Sequence, residues 1–211
     1  MKLWQKNKTS KTENVDQFTV GADRIWDLRL APYDILASKA HAEMLASVGL
    51  LTTNEAKQLC IELDNIMTIA TKDSFVIEDN FEDIHSKIEF LLTEKLGDVG
   101  KKIHSARSRN DQVLTAMQLF LKDEISEIKV LSKNLFDTWM TLAERHKDDI
   151  LPGYTHLQVA MPSSFGLWFS AYAESLIDDV IQLNAAHIIC NQNPLGSAAG
   201  FGSSFPIDRN F

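Results

Sequence analysis

The sequence predicts an all-α fold, with an N-terminal helical domain followed by the first long helices of a central helical bundle. Nearly every periodic segment has apolar residues three and four positions apart, which is the spacing of one face of an α-helix. The only strand-like run, residues 75–77, is too short to make a sheet. Because the helical patterns lengthen midway, we expect an N-terminal domain over residues 1–108 and part of a bundle domain over 109–211.

Start and stop signals delimit the shorter helices. Apolar residues over 35–48 predict a first helix that ends at Gly49. Thr52 and Glu55 have the spacing of a capping box and predict the start of a second helix. Asp79 and Glu82 repeat that spacing and predict the start of a third helix.

Two long helices are predicted in the second half. Leucine or isoleucine recurs every seven residues from Leu114 to Leu142, which predicts one long helix with an apolar seam. Residues 151–158 are interpreted as a tight loop, and Pro162 as part of the first turn of the second long helix. Such seams are typical of helices that pack against other helices.

Composition excludes several classes of function. Of 211 residues, 29 are acidic and 21 basic, and the net charge of −8 argues against general binding to nucleic acid or to an anionic membrane. Residues 1–19 are polar and lack the apolar core of a secretory signal, and no stretch has the length and apolarity of a membrane span. Two well-separated cysteines complete the expectation of a cytoplasmic protein.

Residues 104–112 carry the clearest chemical signal. Arg107 and Arg109 can each bind a carboxylate through two parallel hydrogen bonds. Ser108 and Asn110 add short polar groups at a predicted helix start, where backbone N–H groups are unpaired. Two lysines just upstream deepen the positive field, so this segment is interpreted as a carboxylate-binding site.

A second polar cluster presents Thr155 and His156 before the second long helix. A single histidine in a loop is usually structural or merely exposed. Combined with the arginine-rich segment, His156 becomes a candidate for proton transfer or charge stabilisation near a bound polyanion.

Other kinds of site are less well supported. Acidic residues and His85 over 82–89 have the donor types of a metal site, but acids near a helix start are ordinarily solvated or capping, so we expect no metal and no cofactor. The glycine-rich residues 196–202 do not follow a strand, as a dinucleotide-binding loop would. The basic patch lacks the interleaved aromatics of an RNA site.

Residues 104–112, 152–158 and 193–200 together closely resemble the argininosuccinate lyases of the fumarase and aspartase superfamily. The resemblance covers most of the chain and includes shorter matches around Asp34 and over residues 82–85. It implies a β-elimination that splits argininosuccinate into arginine and fumarate through a doubly charged intermediate. His156 matches the histidine assigned to proton transfer, and His85 is expected near the site as support. The positions that match substrate-contacting residues are Ser108, Arg109, Asn110 and Thr155.

The resemblance also implies a cytoplasmic homotetramer of arginine biosynthesis, with each site shared between subunits. Val159 and Asp23 depart from the family pattern, and the mobile loop that carries the family's catalytic serine is not found in these residues. We therefore expect the 211-residue chain to be a fragment that is inactive alone. Two alternatives stay open: a sister lyase acting on adenylosuccinate, fumarate or aspartate, and a non-catalytic relative like the lens crystallins of this fold.

Overall fold

A computed structural model describes residue 18, residues 20–72 and residues 74–211. The chain forms two compact units, one with the residues up to Phe120 and residues 193–211, the other with residues 121–192. Both are mainly helical, which confirms the predicted fold class. The domain boundary after residue 108 stays a prediction, as does the interpretation of residues 1–17 and 19, which lie outside the described residues.

Helices of very different length build the first unit. In chain order they are α1 (Asp23–Trp26), α2 (Ala31–Ser47), α3 (Thr53–Ala70), α4 (Ile84–Leu96), α5 (Asp98–Lys101) and the first part of α6 (Arg109–Arg145). Two short 3₁₀ helices, Asp27–Leu30 and Lys102–His104, connect them.

The predicted end of α2 and the predicted start of α3 are confirmed. Helix α2 ends at Ser47, and Gly49 follows in the left-handed region, with a φ of 77° that a side chain would strain. The Thr52 Oγ1 atom accepts a hydrogen bond from the Glu55 backbone N–H at 3.2 Å, and the Glu55 carboxylate accepts from the Thr52 N–H at 2.9 Å. These two bonds form the capping box that the sequence predicts.

The predicted start of α4 is wrong. Its cap is Asp83, whose carboxylate accepts a hydrogen bond from the Ser86 N–H at 2.6 Å, and not Asp79 with Glu82. The chain is still turning before that point, since the Phe81 N–H donates to the Glu78 carbonyl and the Phe81 ring is buried. The burial of Phe81 thus delays the start of the helix.

The core of the first unit lies between α2, α3 and α4. Its fully buried aliphatic side chains include Ile35, Leu45, Leu59, Leu63, Ile66, Ile84, Ile88 and Leu92. Burying each such side chain contributes roughly 1.5–3 kcal/mol. This packing holds the three helices in place and so determines where their polar side chains point.

The second unit contains a β-hairpin that the sequence interpretation missed. It has the rest of α6, the strands β1 (Ile150–Thr155) and β2 (Gln158–Ser164), and α7 (Phe165–Cys190). The loop predicted over 151–158 is mostly strand, and Pro162 lies in β2 opposite Pro152 instead of in a helix. Prolines lack a backbone donor but are tolerated at strand edges, and a two-stranded hairpin consists only of edges.

Helix α7 begins at Phe165, where Ser164 Oγ accepts a hydrogen bond from the Leu167 N–H at 3.1 Å. It packs against the end of α6 through the Trp139 and Tyr172 rings, whose centroids are 5.9 Å apart. Much of the predicted seam on α6 stays exposed within this chain, including Ile128 and Leu135. Among the described helices, none combines the length and apolarity that crossing a membrane requires.

The capping box provides a test of the fold. Thr52→Ala should lower the free energy of unfolding of the intact protein by about 1 kcal/mol, because it removes the acceptor for one unpaired N–H at the start of α3. Thr53→Ala, an exposed position one residue later, is the matched control and should change it by much less. Urea unfolding followed by circular dichroism measures both, and equal effects would contradict the capping role.

Candidate active site

Helix α2 carries a buried polar stripe in an otherwise apolar face. Asp34, Ser38 and His41 are spaced four and three residues apart, so they lie on one side of the helix. Each is at most 2% exposed. All three interact with residues of segment 104–112, which we call the arginine segment. This stripe, which we call the floor, therefore supplies the buried polar contacts of that segment.

Asp34 is the buried acid of this floor. Its Oδ1 atom lies 3.0 Å from His85 Nδ1 on α4 and accepts a hydrogen bond from Gln112 Nε2 at 2.8 Å. Burial alone would raise the pKa of Asp34, but the His85 and Arg107 charges outweigh it and lower that pKa. Burial likewise opposes the charged form of His85, yet the Asp34 carboxylate raises the His85 pKa. The two groups therefore form a buried ion pair.

Glu89 on α4 contacts three basic side chains of the arginine segment. Its Oε1 atom lies 2.9 Å from His104 Nδ1 and 3.6 Å from an Arg107 terminal nitrogen, and its Oε2 atom accepts from Arg109 at 3.3 Å. Burial would raise the pKa of Glu89, but the His104 hydrogen bond and the arginine charges lower it. Glu89 is thus an anion surrounded by three basic groups.

Of the two arginines in the segment, Arg107 has a structural role. Its side chain is 1% exposed and donates a hydrogen bond to Ser38 Oγ at 2.8 Å. Burial lowers the pKa of Arg107 from its ordinary value, although Asp34 and Glu89 oppose that shift. An arginine enclosed in this way anchors its segment to α2 and is poorly placed to meet a ligand.

Arg109 is more accessible, with a side chain that is 21% exposed. One terminal nitrogen donates to Gln112 Oε1 at 2.8 Å and the other to Glu89 at 3.3 Å, while Nε lies 3.7 Å from an Asp83 oxygen. These contacts hold the guanidinium at a defined orientation at the start of α6.

Asp111 joins the start of α6 to the glycine-rich loop near the end of the chain. Its Oδ1 accepts from the Ser108 N–H at 2.9 Å, and its Oδ2 accepts from the Gly196 and Ala198 N–H groups at 3.0 and 2.7 Å. Its side chain is fully buried. A carboxylate bound by three backbone N–H groups is a strong anchor.

Gly196 is required at this junction. Its φ is +96°, and a Cβ atom there would lie 3.0 Å from Arg209 Cγ and 3.1 Å from Ile207 Cδ1. A larger residue would therefore be strained and crowded, and the backbone N–H would move away from Asp111.

The two lysines upstream do not deepen the positive field as the sequence interpretation proposed. Lys101 pairs with Asp98 at 2.8 Å, and Lys102 pairs with Glu55 at 2.5 Å. Both lysines are thereby paired with acids at the surface of the first unit.

The hairpin of the second unit presents Thr155 and His156. Thr155 pairs with Gln158 at the end of the ladder, and the two-residue turn between them is His156–Leu157. Both turn residues have positive φ, 47° and 65°, the conformation of a mirror-image turn that asparagine and glycine normally occupy. A histidine there costs on the order of 1 kcal/mol in strain, and such strain is characteristic of functional positions.

The family model described as "Lyase" matches residues 8–211 of this chain. The chain belongs to this lyase family. It is 59% identical to the argininosuccinate lyase of Parabacteroides distasonis over 208 residues, which are 99% of this chain and 46% of that relative. The argininosuccinate lyase of Thermotoga neapolitana is 43% identical over 100% of this chain and 52% of its own length. The chain spans about half the length of the curated relatives it matches.

Solved structures share the fold. A variant of EDDS lyase with bound fumarate is 25% identical, with a TM-score of 0.79 over 96% of this chain and 40% of that chain. The β-carboxy-cis,cis-muconate cycloisomerase of Acinetobacter calcoaceticus, at 17% identity and a TM-score of 0.63, shows the fold alone.

The lyase chain brings together part of the predicted site. Ser108, Arg109 and Asn110 lie side by side at the start of α6, where Ser108 Oγ accepts from the Asn110 N–H at 3.2 Å. Thr155 and His156 belong to the other compact unit. Of the two departures from the family pattern, Val159 is 69% exposed on β2 and Asp23 is exposed at the start of α1.

The sequence interpretation missed the supporting roles of Glu89, Asp111 and Gln112. A signal for them existed in α2, where buried polar residues at 34, 38 and 41 interrupt an apolar helix face and imply polar partners elsewhere. Within the described residues, no group of three or more histidine, cysteine or acidic side chains has the arrangement to hold a metal ion.

His41 makes the stability of the lyase chain depend on pH. Its Nε2 atom bonds the Ser105 carbonyl at 3.0 Å, and burial, followed by the Arg107 charge, lowers the His41 pKa to about 4. An unfolded histidine has a pKa of about 6.5. The unfolded state therefore binds more protons between pH 6.5 and 4, and the free energy of unfolding should fall by roughly 1 kcal/mol per pH unit over that window.

His41→Gln keeps an N–H donor for Ser105 and removes the titration, so its stability should fall less steeply from pH 6.5 to 4. Chemical unfolding at several pH values measures the difference from the parent protein. The same substitution at the half-buried His187 is the matched control. Parallel pH profiles for the parent and His41→Gln would show that His41 does not titrate in this window.

Proposed function

We propose that the protein to which this chain belongs is an argininosuccinate lyase, which splits argininosuccinate into arginine and fumarate. The observation that carries the proposal is the identity of 59%, 58% and 55% to three bacterial proteins of that name, over 99% of this chain. These names favour argininosuccinate over the substrates of the sister lyases. The activity is proposed for the whole protein, since the matched relatives are about twice as long.

The reaction requires a site that stabilises negative charge. Removal of a proton beside a succinyl carboxylate places two negative charges on one group, and donors oriented before the reaction stabilise such an intermediate at no reorganisation cost. Arg109 fits this role because its guanidinium is already oriented, partly exposed and cationic. Ser108 and Asn110 add a hydroxyl and an amide beside it at the start of a 37-residue helix, where the helix dipole also favours an anion.

His156 is proposed to transfer a proton or to orient the group that does. Its imidazole is exposed at the tip of a two-residue turn, so no packing within the second unit prevents its contact with substrate. Thr155 precedes it at the last paired position of β1 and contributes a hydroxyl donor. The hairpin places both side chains next to each other at its tip, as catalysis by positioned groups requires.

The protein is further proposed to be a cytoplasmic homotetramer whose sites are shared between subunits. Support comes from the exposed apolar side chains on α6, which within this chain lack the cover that a helical bundle supplies. Ile128 and Leu135 are 43% and 42% exposed and lie seven residues apart on one face. A stripe of this kind is buried when like helices associate.

The function is tested by replacing His156 in the intact protein. His156→Asn should lower kcat for argininosuccinate by roughly a hundredfold or more, the scale for losing a proton-transfer group, with circular dichroism unchanged. Fumarate formation, followed by ultraviolet absorbance, measures the rate. His187→Asn on α7 is the matched control, with an expected rate close to that of the parent. Near-normal turnover of His156→Asn would return His156 to a structural role.

The assembly is tested on the α6 seam. Ile128→Lys should shift the protein towards smaller species in sedimentation velocity, because it places a charge in the proposed bundle interface. Ser126→Lys, on the opposite face of the same helix, should leave the sedimentation coefficient unchanged. If neither or both substitutions dissociate the assembly, this face of α6 is not the specific interface.

A further inference from the structure

The amide of Gln112 links two charged groups that do not touch each other. Its Nε2 atom donates to Asp34 Oδ1 at 2.8 Å, and its Oε1 atom accepts from Arg109 at 2.8 Å. Gln112 is 1% exposed, so water does not compete for either bond. The Gln112 side chain thus links the buried Asp34 on α2 to the partly exposed guanidinium of Arg109.

The two neighbours leave the amide one orientation. A carboxylate can only accept hydrogen bonds, and a guanidinium can only donate them. The NH₂ group of Gln112 must therefore face Asp34, and its oxygen must face Arg109. The reverse orientation would place NH₂ against the guanidinium and oxygen against the carboxylate, with both buried bonds lost.

Asp34 is itself held as an anion. The His85 Nδ1 atom lies 3.0 Å from the same Asp34 oxygen that binds Gln112, and both His85 and Asp34 are at most 1% exposed. The ion pair between α2 and α4 therefore determines which end of the Gln112 amide faces Arg109.

Arg109 retains capacity for a ligand in this arrangement. A guanidinium has five N–H groups. Within the described part of the chain, Gln112 and Glu89 each accept one hydrogen bond from a terminal nitrogen of Arg109, and an Asp83 oxygen lies 3.7 Å from Nε. Each terminal nitrogen carries a second N–H, so the guanidinium has further donors for a ligand carboxylate.

We propose that Gln112 is a positioning residue, which fixes Arg109 for a dicarboxylate and whose own orientation is dictated by the His85–Asp34 ion pair. The inference deepens the proposed function, since it names the succinyl end of the substrate as the part that depends on Gln112. Gln112 does not touch the substrate in this scheme. Its effect passes through the guanidinium of Arg109.

The test separates the two ends of the substrate by using the two products as probes. Binding of fumarate and of arginine to the intact protein is measured separately by isothermal titration calorimetry. Gln112→Met removes both hydrogen bonds at similar volume and should weaken fumarate binding about tenfold or more, the usual scale for a hydrogen bond to a charged group. Arginine binding should change less than twofold, because arginine lacks the succinyl carboxylates.

Gln118→Met is the matched control, since its side-chain oxygen has no hydrogen-bond partner among the described residues and it lies on the same helix. It should alter neither affinity. Gln112→Asn covers the case in which Gln112→Met does not fold. It keeps an amide beside Asp34 but is one methylene too short to reach both neighbours, so it should also weaken fumarate binding selectively.

Selective loss of fumarate binding supports the positioning role. Unchanged fumarate affinity, equal loss for both products, or no fumarate binding by the parent protein would overturn it. Turnover of argininosuccinate by the parent protein is measured alongside, so that a protein which binds fumarate but does not cleave argininosuccinate would refute the proposed function while the role of Gln112 is still decided.

Discussion

The buried ion pair between Asp34 and His85 is the interaction on which the arrangement of the first unit's polar residues depends. It lies between α2 and α4, and its carboxylate also binds Gln112 of α6. Pairs of this kind contribute little net stability, because desolvation of both charges offsets most of their attraction. Their value is specificity. A buried charge tolerates only the helix packing that brings its partner within reach, so this pair selects one relative position for three helices.

A second anchor acts on the same segment from the other side. Asp111 binds backbone N–H groups of Ser108, Gly196 and Ala198, and it thereby joins the start of α6 to a loop some 85 residues later in the chain. The C-terminal half of the arginine segment is thus held by two buried carboxylates, that of Asp34 through Gln112 and that of Asp111 through Ser108. Arg109 in this segment is partly exposed and Asn110 is exposed, and contacts with Gln112, Glu89 and Asp83 orient the Arg109 guanidinium.

The two arginines of the segment illustrate how identical residues two positions apart acquire different roles. Arg107 is enclosed by Ser38 and Glu89 and anchors the segment to α2, while the Arg109 side chain is partly exposed. The negative charge of Glu89 is shared by both arginines and by His104. Its carboxylate offsets the mutual repulsion of the basic groups around it.

Local patterns in the sequence determined the helices, the capping box at Thr52, the end of α2 at Gly49 and the family resemblance of residues 104–112. The helices and their ends depend on backbone geometry and on neighbours within four residues. The resemblance depends on a run of adjacent residues, and a linear pattern contains both kinds of information. The hairpin was missed because His156 and Leu157 adopt positive φ without the asparagine or glycine that usually signals such a turn, and the start of α4 was misplaced because Phe81 is buried. Tertiary structure alone decided that Arg107 is enclosed by Ser38 and Glu89, that Lys102 pairs with Glu55, and that Asp34 binds Gln112. Each of those outcomes depends on residues far apart in sequence, which only the folded chain brings together.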